Sequence, residues 1–136
     1  MSLQDNKAVI RRLYDAFSTG DLKVMDEAFA ANVVDLFPLE GQAPGVEGFK
    51  ERLIGLRKSF PDLSFTIETV IADGNMVAER ATLRGTHLGK FMGVPATGKQ
   101  VTGNMMGFNK FVDSKVVERG RIINVLGMMR QIQSSR

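Results

Sequence analysis

The stretch LSFTIETVIADGNMVAERATLRGTH, Leu63 to His87, is where the chain changes from a helical hydrophobic period to a period of two. Leu63, Phe65, Ile67, Thr69 and Ile71 alternate with Ser64, Thr66 and Glu68 before Asp73-Gly74-Asn75 interrupts the run. Asp-Gly between two such runs is a hairpin signal. The returning strand, Met76 to Thr86, places Val77, Ala81 and Leu83 on one face and Arg80, Thr82 and Arg84 on the other. A further strand is expected over Val101 to Phe111, then a turn at Asp113-Ser114. The last run, Lys115 to Leu126, sets Val116, Ile122 and Leu126 on one face. The second half therefore reads as a meander of long antiparallel strands.

Upstream of Leu63 the spacing is helical. Val9, Ile10, Leu13, Tyr14 and Phe17 form one apolar stripe that Gly20 can end in the left-handed conformation. Asp21 caps a second short helix carrying Leu22, Met25, Ala28 and Phe29. A short apolar run, Val33 to Phe37, closes at Pro38, and a glycine-rich loop leads to a third helix with Phe49, Leu53, Leu56 and Phe60, stopped by Pro61. Helices first and strands afterwards give an α+β class, three N-terminal helices packed on a curved antiparallel sheet. Residues 1–136 suit one domain.

Composition narrows the function. Lys and Arg number 18 against 15 Asp and Glu, too slight a bias to indicate nucleic acid. Lys110, Lys115, Arg119, Arg121, Arg130 and Arg136 are read as an exposed strand face. No cysteine is present, which fits a reducing, cytoplasmic compartment, and one histidine leaves too few soft ligands for a transition metal. Met1 to Lys7 lack the apolar core of a signal peptide, and no apolar run reaches the roughly 18 residues of a membrane span. Gly93-Val94-Pro95-Ala96-Thr97-Gly98-Lys99 matches the first seven positions of a phosphate-binding loop, but Gln100 stands where Ser or Thr would hold magnesium. Pro95 also removes an amide from the cradle, so the segment is expected to be an inter-strand loop.

His87 continues the parity of Val77, Ala81 and Leu83 and is expected to face inward. It is then either a neutral core histidine or a base on a cavity wall. Asn124 shares the parity of Val116, Ile122 and Leu126, and as a buried amide would either tie down backbone or donate to a bound molecule. Tyr14 lies on the buried stripe of the first helix, as core or with its hydroxyl toward the same cavity. Met105, with Met92, Met106, Met128 and Met129, either lines a pocket for a flat apolar ligand or fills core space.

The segments RLYDAFSTGD, GVEGFK, FPDLSFTIE, VAERATLRGTHLGKFMGVPATGK and VVERGRIINVLGMMRQI together resemble the SnoaL-like polyketide cyclases of the NTF2-like superfamily, from about Asn6 to Gln133. The resemblance implies a cone-shaped, barrel-like fold and cyclase-type acid/base chemistry, aldol ring closure or isomerisation, next to a carbonyl of a small hydrophobic or polyketide-like ligand. It implies no organic or metal cofactor, no nucleic-acid or membrane partner, and a homodimer or larger homo-oligomer. Carried over position by position, His87 takes the place of the family's catalytic histidine and Asn124 that of its acid/base aspartate. An amide has no proton equilibrium near neutrality, so Asn124 could hold an oxygen but not take a proton. Leu36 and Ser64 stand where histidines are common and Gly120 where a tryptophan is usual, implying a less polar, reshaped substrate pocket. A non-catalytic binding module on the same fold is the alternative reading.

Overall fold

The computed structural model describes residues 2–134; Met1, Ser135 and Arg136, the last of them counted in the basic face above, lie outside the described residues. The helices are α1 (Leu3–Thr19), α2 (Leu22–Ala28), α3 (Val46–Ser59) and α4 (Val125–Gln133); the strands are β1 (Phe29–Asp35), β2 (Ser64–Asp73), β3 (Met76–Thr86), β4 (Gln100–Val112) and β5 (Lys115–Ile123). One five-stranded sheet runs β1-β5-β4-β3-β2, and the class is α+β as expected. The exception to the antiparallel pattern is β1, which lies parallel to β5 at one edge. Among the described residues no helix is long and apolar enough to cross a membrane.

Local chemistry accounts for the element ends. A capping box between Ser2 and Asp5 starts α1, and Gly20 ends it at φ 78°. The Asp21 side chain accepts from Lys23 N and starts α2. Phe60, held before Pro61, closes α3 and is itself fully buried. The β4–β5 turn places Asp113 and Ser114 at φ 49° and 70°, the left-handed pair of a type I′ hairpin. Ile10, Leu13 and Phe17 of α1 meet Val77, Ala81 and Leu83 of β3 in one core with Phe29, Phe49 and Phe60. Each of these Ile, Leu, Val and Phe side chains contributes roughly 1.5–3 kcal/mol by leaving water.

Two bulges rotate the strand faces. In β2, Ile67 pairs with Ala81 and Thr69 with Arg80, so Glu68 is extra. Beyond it Val70 and Ala72 turn to the core while Ile71 is 61% exposed, which corrects the expected placement of Thr69 and Ile71 with Leu63 and Phe65. In β5, Phe111 pairs with Val116 and Lys110 with Glu118, leaving Val117 unmatched. Parity inverts at that point, so Arg119, Arg121 and Ile123 face inward and Ile122 is exposed.

The inversion also corrects the basic-face reading, because Arg119 is 1% exposed and Arg121 nearly as enclosed. The last strand stops at Ile123, and the expected terminal turn is a fourth helix.

Candidate functional site

A cavity of about 520 Å³ lies between the helices and the inner face of the sheet. That is within the usual size of small-molecule sites, roughly 300–1,000 Å³. Its walls are mainly apolar, with Phe17, Phe49, Phe65, Phe91, Met105 and Met128 among them. Exposed residues mark the mouth, Leu39 and Glu40 from the loop after β1, Glu51 of α3 and Met92. The sheet side of the cavity is polar, where Arg119 and Arg121 project past the β5 bulge.

Arg119 belongs to a closed four-residue network. Its Nη1 donates to Glu79 Oε2 and Asn109 Oδ1, both at 2.8 Å, and its Nη2 to the Tyr14 hydroxyl at 3.1 Å. Tyr14 in turn donates to Glu79 Oε2 at 2.8 Å, and Asn109 Nδ2 to Glu79 Oε1 at 2.6 Å. Burial alone would lower the Arg119 pKa, but the Glu79 charge and the Tyr14 oxygen outweigh it and hold the guanidinium well above its ordinary value. Burial raises the Tyr14 pKa, and Glu79 adds to that against the opposing charge of Arg119, so the phenol is neutral. Among the described residues Arg119 Nε, on a side chain that lines the cavity, is buried with no hydrogen-bond partner.

A second group stands beside it. Asp35 Oδ2 accepts from Arg121 at 3.3 Å, Arg52 at 3.2 Å and Gln42 at 3.0 Å, while Oδ1 accepts from Phe37 N at 3.0 Å. Arg121 also lies 4.9 Å from the centre of the Phe49 ring. Burial, then the like charges of Arg119 and Arg52, lower the Arg121 pKa to about 10 against the pull of Asp35. The Asp35 carboxyl is held below its usual range; its own burial would raise it, but Gln42, Phe37 N and Arg121 prevail.

The residues singled out in the sequence are distributed differently. Met105 is on the cavity wall. Tyr14 backs Arg119 and is not among the lining residues. His87 is fully buried but is also not among them; its Nδ1 lies 2.9 Å from Thr97 Oγ1, its ring packs on Phe60, and Nε2 has no partner among the described residues. Its backbone holds the following loop, donating to Lys99 O and accepting from Thr97 N and Gly98 N. That loop, which resembles a phosphate-binding loop in its first seven positions, instead sends Lys99 to the carbonyls of Ile132 and Ser134, where it caps α4.

Asn124 is exposed, a correction to its expected inward parity that follows from the same bulge; its Oδ1 accepts from Gly127 N at 3.0 Å and starts α4. Leu36 and Gly120 meet each other, since a Cβ on Gly120 would come within 3.2 Å of Leu36 and 2.9 Å of Phe37. Gly120 alternates with Arg119 and Arg121, so this contact is on the outer face. Ser64 is exposed, next to the wall residue Phe65 but pointing the other way.

The network partners missed at the sequence level carried a signal. Glu79 shares the parity of Val77 and Ala81, and Asn109 that of Met105 and Phe111, so a carboxylate and an amide were due inside. A buried carboxylate favours a cationic partner, and the inverted β5 supplies it as Arg119.

Comparison with known proteins agrees with this architecture. The SnoaL-like polyketide cyclase profile matches residues 7–132. The aklanonic acid methyl ester cyclase DnrD of Streptomyces peucetius is 26% identical over 127 residues, 91% of this chain and 88% of its own. The nogalonic acid methyl ester cyclase of Streptomyces nogalater is 25% identical over 122 residues, 88% of this chain and 91% of its own. Among solved structures, IdmH from Streptomyces antibioticus superposes with a TM-score of 0.84 at 32% identity, covering 95% of this chain and 99% of its own. The chain belongs to the SnoaL-like polyketide cyclase family, and with that family goes its class, a cyclase-type enzyme.

Proposed function

We propose that the cavity receives a flat, polyketide-like molecule and that the protein promotes acid/base chemistry, ring closure or isomerisation, at the carbon beside one of its carbonyls. The observation that carries this reading is Arg119, a permanently charged side chain on the polar side of an otherwise apolar cavity, whose Nε has no partner among the described residues. A carbonyl oxygen directed at it gains negative charge as the neighbouring carbon loses its proton. A fixed cation in a water-poor site stabilises that enolate far more than bulk water does. Phe17, Phe49, Phe65 and Phe91 hold the chain folded for attack. Glu51, on the wall near the mouth, is assigned the proton. His87, off the lining, serves by fastening the loop that carries Phe91 and Met92.

Deuterium exchange at the activated methylene of an aromatic β-keto ester, followed by NMR, tests the reading. Exchange above buffer is expected in the native protein and in His87→Gln, and its loss in the paired variant Arg119→Met with Glu79→Gln. Exchange that persists without the guanidinium refutes it. A non-catalytic binding module is the second reading, favoured by a lining that contains no histidine and whose two carboxylates, Glu40 and Glu51, are both solvent-exposed. Saturable binding without exchange would select it.

The same proposal treats the chain as a single domain, supported by the family match over residues 7–132, acting in the cytoplasm, a reducing compartment that a fold without disulfides suits. It pairs two copies through the outer sheet face, where Met106 lies opposite Ile122 and next but one to Phe108, all more than half exposed. Sedimentation showing only monomer would remove that part.

A further inference from the structure

The group around Asp35 has more positive than negative charge, and the excess faces the cavity. Arg52, Arg121 and Gln42 all line it, and all three donate to the single carboxylate of Asp35. The next cation, Arg119, is already matched by Glu79 and relieves nothing. Two guanidinium groups on one carboxylate leave one charge uncompensated, and the Arg121 side chain is only 10% exposed. Glu40 and Glu51, the two carboxylates on the lining itself, are solvent-exposed and screened by water. An enclosed unpaired cation is costly, and a bound anion with bidentate geometry removes the cost.

We propose that this group is the docking point for a free carboxylate on the ligand, so that the preferred substrate is an aromatic or polyketide acid rather than its ester. The carboxylate completes an alternating array with Arg121, Asp35 and Arg52, its apolar body lying along Phe49 and the other rings. The inference rests on the cavity reading above and sharpens it, because the curated relatives described here are methyl ester cyclases by name.

The test is a calorimetric titration of the intact protein with 2-naphthoate and with methyl 2-naphthoate at neutral pH, repeated on Arg121→Met. The acid should bind about tenfold tighter than the ester or better, and the preference should collapse in the variant. Equal binding, tighter ester binding, or a preference that survives Arg121→Met overturns the inference while leaving the cavity reading intact. Binding of neither compound overturns both. Arg52→Met, altering a side chain 19% exposed, carries the same test if Arg121→Met does not fold.

Discussion

Replacing Glu79 by Gln keeps the shape of the side chain and removes its charge, which makes it a direct measure of the buried network. In the native chain Glu79 and Arg119 have side chains 0% and 1% exposed, and three hydrogen bonds, from Arg119, Tyr14 and Asn109, converge on the Glu79 carboxylate. The amide leaves the guanidinium without a counter-charge and presents an N–H₂ where Glu79 now accepts only. Breaking one side of a buried ion pair costs roughly 3–5 kcal/mol, a large share of the roughly 5–15 kcal/mol that holds a domain together. At roughly 4 °C per kcal/mol for a chain of this size, the melting temperature should fall by roughly 12–20 °C. Thermal and urea unfolding followed by circular dichroism measure it. Adding Arg119→Met to the same chain removes the stranded charge and should restore at least half of the loss. A single variant that melts within a few degrees of native, or a double variant whose losses simply add, would refute the coupling.

Four further outcomes follow from the same geometry. Gly107→Ala should cost roughly 1–3 kcal/mol in urea unfolding, because the new Cβ collides with Glu79 Oε2 and lies 2.8 Å from Arg119 Nη1. Tyr14 has its pKa raised in the fold, first by burial, so the stability it adds is complete below its unfolded value of about 10 and is lost as pH climbs above that. As the one tyrosine of the chain, its phenolate absorbance should appear only with unfolding, and early appearance would contradict the network. Asn124→Ala should cost about 1 kcal/mol through the lost α4 cap while ligand affinity in the cavity stays constant. Thr97→Val, which removes the hydroxyl bonded to His87 Nδ1, should speed amide hydrogen exchange between Leu88 and Lys99 while exchange in β4 and β5 is unchanged.

Helix ends and hairpins were legible because each depends on local chemistry. Gly20, Pro61 and Asp73-Gly74-Asn75 act within a few residues of themselves, and all three mark element ends in the fold. Most of the site was not legible, because a bulge is decided by pairing with another strand. In β5 the doublets Val116-Val117 and Ile122-Ile123 offer an apolar residue to either parity, so hydrophobic pattern alone cannot register the extra residue. That extra residue is what turns Asn124 outward and Arg119 and Arg121 inward, against the parity of the hydrophobic pattern. The inward side of Met105 is legible because β4 has no bulge before Lys110 and its alternation holds along that length, while the choice between pocket wall and core filling is settled only by the cavity beside it.

The unmatched Val117 separates what a residue is from where its neighbours point. Because Val117 opposes no residue of its own, deleting it would close the bulge and keep Glu118 opposite Lys110 and Arg119 opposite Asn109, whereas straightening β5 with Val117 retained would turn Glu118, Gly120 and Ile122 toward the cavity and send Arg119 and Arg121 outward. The electrostatic character of this pocket is therefore set by how β5 pairs with β4 as much as by which residues it carries. An alignment that lets a gap float across Val116 and Val117 would compare side chains from opposite faces of the sheet.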